Sequence, residues 1–183
     1  MTDALFNAQP ETVRGAHLST DGQYRYVLTR RWDFNRPIAL GIGLNPSTAD
    51  HLIDDLTAVK MIGFAKRWGC GGYALVNLYA YRATDPDEMF SHHYWGADIV
   101  GPDNDAQIRL WLVADGPIVA CWGSTRPSSR GARAFHDQRI SDVCDLVRDA
   151  GRTMQCLGTT KDGHPRHPSR LAYATALVPF GGA

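Results

Sequence analysis

The sequence predicts an α/β fold, a three-layer sandwich with a central, mostly parallel four-stranded sheet flanked by helices. Two observations carry this. Three short apolar runs, 37–44, 73–78 and 117–123, lack the period-two alternation of a half-exposed strand, as expected where both faces of a sheet are covered. Stretches with apolar residues at helical spacing lie between and after these runs. Such alternation of strand and helix builds parallel sheets whose ligand sites lie beyond the carboxyl ends of the strands.

Taken in order, residues 1–20 mix polar and apolar positions without a period and read as a loosely attached arm, with a single domain over 21–183 whose core starts at Tyr24. Residues 24–32 are rich in β-formers and partly alternate, as in a half-buried or edge strand, and Asn35, Arg36 and Pro37 supply a turn. The strand over 37–44 is stopped by Asn45, Pro46 and Ser47. Leu56, Val59, Met61, Ile62, Ala65 and Trp68 then mark a helix, with Asp54 or Asp55 placed to cap it and Gly69, Gly71 and Gly72 to end it. After the strand over 73–78, Asp85-Pro86 opens a short helix, His92 and His93 fall in a polar loop, and 104–114 is helical. The strand over 117–123 leads into a Gly/Ser/Arg-rich stretch, 124–133, expected to be a mobile loop. A helix over 133–150, with Ile140, Val143, Cys144 and Val147 on one face, and a fourth strand over 153–157 complete the pattern.

Composition excludes several classes. A chain of 183 residues with 44% hydrophobic content fills one core without a staple. Cys70, Cys121, Cys144 and Cys156 are too widely spaced for a zinc ribbon, redox pair or typical iron–sulfur site, and read as reduced, buried thiols. No basic start precedes an apolar run, and no window approaches the ~20 apolar residues of a membrane span, so a cytoplasmic location is expected. Nineteen basic and nineteen acidic side chains cancel. No global positive field draws this chain to nucleic acid, and any such binding is local.

The chemistry-bearing residues cluster at strand ends. In Gly43-Leu44-Asn45-Pro46-Ser47, glycine permits close backbone approach and proline fixes the chain so that Asn45 projects into a cleft; the plainer alternative is an Asn-Pro turn. Asn77 ends the second buried strand, Trp122-Gly123-Ser124 ends the third, and His167-Pro168-Ser169-Arg170-Leu171 follows the fourth.

In this order the four segments resemble the signature regions of the uracil-DNA glycosylase superfamily: a Gly-x-Asn/Asp-Pro loop, a strand ending in a base-reading Asn, a strand ending in Trp-Gly-Ser and a His-Pro-Ser loop. Residues 77–86, with Asn77, Arg82 and Pro86, are similar to the thermophile-type branch. More closely, the stretches 26–32, 45–50, 77–86, 101–105 and 161–168 resemble an uncharacterised bacterial and phage family, catalogued as domain of unknown function 1643, which brings no reaction with it. The sequence departs from the best-known glycosylase branch at Ser47, where an aromatic is usual, and at Arg170, where proline is frequent. A residue as small as Ser47 leaves room for a base larger than uracil.

The resemblance implies that Asn45 orients the attacking water or makes a pocket hydrogen bond, Asn77 reads a base edge, and His167 stabilises charge on the departing base. Gly43, Leu44, Pro46, Ser47, Tyr79, Arg82 and Trp122 would complete the base site, with Tyr79, Tyr81 and Trp122 as candidates to sandwich the base, though the buried core suits Trp122 better. Ser124, Lys161, Ser169 and Arg170 would meet phosphates, joined by Arg126, Arg130 and Arg133 in a local basic strip. An amide holds water but cannot take its proton, so with Asn45 alone a general-base factor of roughly 10² to 10⁴ is forgone. No metal or other cofactor is implied.

Three readings stand: a DNA glycosylase acting on a modified or damaged base, a hydrolase or binding protein for free nucleotides or nucleosides, and a noncatalytic nucleic-acid-binding or protein-binding module on the same scaffold.

Overall fold

The computed structural model describes residues 11–48 and 53–181. Strands β1 (Val13–Leu18), β2 (Arg25–Arg31), β3 (Ile38–Gly43), β4 (Gly72–Asn77), β5 (Ile118–Ala120), β6 (Met154–Cys156) and β7 (Val178–Pro179) form one sheet in the order β1-β2-β4-β3-β5-β6-β7. The helices are α1 (Leu56–Arg67), α2 (Pro86–Tyr94), α3 (Asn104–Trp111) and α4 (Arg130–Asp149), and a 3-10 turn spans Pro168–Arg170.

The predicted strands β3, β4, β5 and β6 are the parallel centre, paired β4-β3-β5-β6. The sheet nevertheless has seven strands rather than four, because β1 and β2 extend it antiparallel beyond β4 and β7 pairs antiparallel with β6. Residues 13–18, expected within a loose arm, are thus an edge strand. Their weak alternation fits a strand whose side chains are half exposed or exposed. Residues 1–10 of that expected arm, and Ala49 and Asp50 of the stretch 45–50, lie outside the described residues. β2 is not an edge either; it is mostly buried between β1 and β4.

Each face of the sheet buries its own apolar layer. Ala58, Met61, Phe64 and Ala65 of α1 pack on Leu28, Ala39, Tyr73, Leu75, Val119 and Cys121. On the opposite face, residues of α2, α3 and α4, among them Met89, Phe90, Ile108, Ile140 and Val143, pack on Val27, Leu40, Ile42, Val76 and Ala120. Each large apolar side chain so buried contributes roughly 1.5–3 kcal/mol. Local signals set the helix starts. Asp55 caps α1 by accepting from Ala58 N at 2.8 Å, and Asp85 caps α2 with Pro86 in its first turn. Asp54 is instead drawn into ion pairs with Arg14 and Arg30, each at 2.6 Å.

Two expected loops are partly helical. His92 and His93 form the last turn of α2, and α4 starts at Arg130, capped by Ser129. All four cysteines are unpaired, and Cys70, Cys121 and Cys156 are buried. Among the described residues, no helix is long and apolar enough to cross a membrane.

β3 is the pivot. The chain leaves it through α1 to β4 on one side, then returns past it through α2 and α3 to β5 on the other. The connections diverge above its carboxyl end, opening a crevice of the kind that holds ligands in open α/β sheets.

Candidate functional site

A cleft of about 150 Å³ opens at that crevice, lined among others by Gly43, Leu44, Asn45 and Ser47 after β3, Asn77 of β4, Cys121 and Trp122 after β5, and His167. Residues from the four segments singled out in the sequence therefore meet in one place. An apolar protein cavity of about 150 Å³ accepts a benzene-sized ring, so this volume encloses one ring.

Asn77 is only 2% exposed, yet its side-chain amide has no hydrogen-bond partner among the described residues. Neither atom of this amide is sealed from solvent without a partner, so it is open to pair with water or a ligand in the cleft. Its position is fixed from behind. Asn104 Nδ2 donates to the carbonyls of Asn77 (3.1 Å) and Leu78 (3.2 Å), and Arg139 Nε donates to that of Leu78 at 2.7 Å. Gly43 stands opposite Asn77 in the β3–β4 register, and a Cβ there would lie 2.6 Å from Asn77 Oδ1. Glycine at 43 makes room for the amide.

Asn45 is oriented differently. Its Nδ2 donates to Ala83 O at 2.8 Å and Pro46 O at 3.2 Å. Two carbonyl acceptors fix the amide's orientation, leaving Oδ1 as the atom available to accept a hydrogen bond from water or ligand.

His167 caps the 3-10 turn. The Ser169 backbone N–H approaches its Nδ1 at 3.4 Å and the Ser169 hydroxyl lies 2.9 Å away. With Nδ1 accepting, the ring proton sits on Nε2. Desolvation at the cleft wall holds the imidazole below the ordinary histidine pKa, opposed by the carboxylate of Asp55. His167 thus offers a neutral N–H donor. The turn reaches the β5 end because Gly123, at φ 80°, lets the His167 side chain pack against its backbone.

Two cleft residues were not singled out for this role. Asp55, expected to cap the helix, both caps α1 and lines the cleft. Arg25 lines it as well, though it is 5% exposed. A register irregularity puts it there. His17 pairs with Val27 and Leu18 with Arg25, so Tyr26 is an extra residue on β2. Tyr26 and Val27 both serve the α3 side, Tyr26 beside Gly101, and Arg25 turns to the α1 side with Leu28. Strict alternation would put Arg25 with Val27, on the wrong face. Thr57, Leu75, Pro86 and Thr125 complete the lining.

Trp122 serves both expected roles, lining the cleft while packing edge-on against Phe180 at 5.4 Å. Cys121 is pushed up to about 12 by burial, so its thiol stays protonated, 3.2 Å from the Ile42 carbonyl. Other expected residues are elsewhere. Tyr79 is fully buried away from the cleft, its hydroxyl 2.9 Å from His136 Nδ1. Tyr81 packs against Tyr24 and His92. Arg82 spends its guanidinium on the carbonyls of Gly22 (2.9 Å) and Thr48 (2.7 Å). Pro46 and Ser124 neighbour lining residues without lining the cleft, Ser169 acts through His167, and Lys161 and Arg170 are exposed on the surface. Of the expected basic strip, Arg126 is paired with Asp137 and Arg133 Nη2 donates to the Ser128 carbonyl at 2.8 Å. Among the described residues, no three His, Cys, Asp or Glu side chains gather as metal ligands would.

The model of the family described as protein of unknown function (DUF1643) matches residues 25–169, from Arg25 to Ser169. The chain belongs to this family. The match takes in every lining residue of the cleft named above. No curated protein matches the chain. Among solved structures, the crystal structure of hetero-hexameric glutamate dehydrogenase from Thermus thermophilus (Leu bound form) is similar at 16% identity and a TM-score of 0.31, over 79% of this chain and 32% of that one. This chain thus spans about a third of that protein's length, and so slight a likeness carries no argument.

Proposed function

We propose that this cleft binds a nucleobase and that the protein hydrolyses the N-glycosidic bond of a modified or damaged base in DNA, on a scaffold like that of the uracil-DNA glycosylase superfamily. The observation that carries the reading is the buried, unpartnered amide of Asn77 in a ring-sized cleft. A carboxamide presents a donor and an acceptor side by side, the complement of a base edge.

Hydrolysis requires water to attack the sugar carbon as the base departs with the bonding electron pair. Asn45 Oδ1 accepts from and orients that water. Asp55 takes its proton, supplying the general base that an amide cannot be. The Nε2–H of His167 donates to the anion developing on the base, a neutral donor aimed at the charge as it forms. The flattened, cationic sugar of the transition state gains from the same Asp55 carboxylate.

The test is incubation with oligonucleotides bearing uracil, hypoxanthine, xanthine, hydroxymethyluracil and other modified bases, scored by alkali-revealed strand breaks. Breaks with one base, lost in Asn77→Ala and His167→Ala, are expected; no break with any base removes the glycosylase reading.

One observation favours the second reading, a hydrolase or binding protein for free nucleotides or nucleosides. The arginines expected to form a phosphate strip are largely engaged within their own loop and helix. Salt dependence separates the two, since DNA binding through phosphates weakens steeply between 50 and 200 mM salt, on the order of 10³-fold or more for six contacts, and small-ligand binding does not.

A further inference from the structure

Arg25 is a buried arginine without an ion pair among the described residues. Its Nε is sealed from solvent without a hydrogen-bond partner. The neighbouring charges do not resolve this. Arg30 is committed to Asp54 at 2.6 Å. Arg82 is bound by neutral carbonyls, which leave its charge uncompensated. Asp55 is close enough to act on Arg25 through space but makes no ion pair with it, and its Oδ1 is occupied by the α1 cap. Burying an unpaired guanidinium costs several kcal/mol, a burden that a fold keeps where a ligand relieves it. Arg25 also lines the cleft, and the extra residue Tyr26 is what turns it there.

We propose that Arg25 is an anion-recognising residue and that the cleft's ligand carries a carboxylate or phosphate beside its ring. The proposal rests on the reading of the cleft as a nucleobase pocket only for the identity of the ring. Strand order places the groups in sequence. Arg25 on β2 marks one end of the cleft, Asn77 on β4 and Asn45 after β3 lie in the middle, and Trp122 after β5 marks the other end. A ring held at Asn77 therefore presents one edge towards Arg25. A planar, two-pronged guanidinium suits a carboxylate or phosphate, and a charged hydrogen bond of this kind discriminates against a neutral analogue by ~10-fold or more.

Calorimetric titration of the full chain with uracil, orotate (uracil bearing a carboxylate), uridine monophosphate, benzoate and inorganic phosphate tests this, repeated with Arg25→Gln. The expected result is ~10-fold or tighter binding of orotate or uridine monophosphate than of uracil, with the difference lost in Arg25→Gln. Orotate and the nucleotide distinguish an acidic ring substituent from a sugar phosphate. Arg25-dependent binding of benzoate and phosphate as tight as that of orotate would sustain the anion site and sink the nucleobase reading. Equal binding of uracil and orotate, an anion preference that survives Arg25→Gln, or binding of no anion would overturn the proposal, the first leaving the nucleobase reading intact. Thermal melting adds an independent arm. Arg25→Met without ligand is expected to melt at or above the wild-type temperature, because it removes an unpaired charge; a marked drop would make Arg25 a structural residue and overturn the proposal.

Discussion

Gly43 and Asn77 show how a side chain's function depends on a neighbour's lack of one. With 2.6 Å between a Cβ on residue 43 and Asn77 Oδ1, Gly43→Ala forces the amide aside while leaving β3 hydrogen-bonded. The expected outcome is a folded protein whose ligand affinity falls ~10-fold or more, read by calorimetry against a circular dichroism spectrum that does not change. Asp55 separates two duties. Asparagine still caps a helix but takes no proton, so Asp55→Asn should lower kcat by roughly 10² to 10⁴ while melting within a few degrees of the wild type. An unchanged kcat would assign Asp55 to the cap alone. Asn45, Asn77 and Trp122 were legible because each sits where a buried apolar run stops, whereas His167 lies in a polar loop well beyond the fourth strand and was singled out by the resemblance of its His-Pro-Ser stretch. Arg25 was not legible, because an extra residue breaks the alternation by which a strand's faces are read. Asp55 was half legible, since its capping role explains it completely until the fold brings the cleft alongside.

The segment after β4 is held by α3 and α4 through polar groups in an apolar setting. Arg139, buried on α4, donates to the Leu78 carbonyl and pairs with Asp105 of α3 at 2.7 Å. Tyr79→Phe deletes one of these ties and leaves His136 Nδ1 unpaired, which should cost about 1–3 kcal/mol in urea unfolding without altering ligand affinity. If ligand affinity fell with it, Tyr79 would regain the base-binding role its position in the sequence suggested. Three of the four parallel strands were legible from unbroken apolar runs and the fourth from its place after the last helix, as were the helices from their period. The antiparallel margins were not. β1 is half exposed, β7 has two residues including Pro179, and an edge strand that short carries little pattern to read.

The protein as a unit should be sensitive to acid. Burial lowers His136 to about 4 from 6.5, with Asp137 opposing and Arg126 and His164 adding to the shift. The unfolded chain therefore takes up this proton at a higher pH than the native one. The stability involved is fully present above pH 6.5 and is lost as pH falls towards 4, about 3 kcal/mol in all. His167, also depressed, acts in the same direction. Melting temperature should decline across that window, and His136→Gln should flatten the decline; a wild-type profile level from pH 7 to 4 would refute this. The cleft adds a kinetic consequence. Its walls come from residues as distant as Arg25 and His167, and the strand pair beneath it joins Leu40 to Ile118. Pairings that close such long loops form slowly. After dilution from denaturant, helical signal should return first and ligand capture last, so that a bound ring would serve as the clock for completion of the sheet.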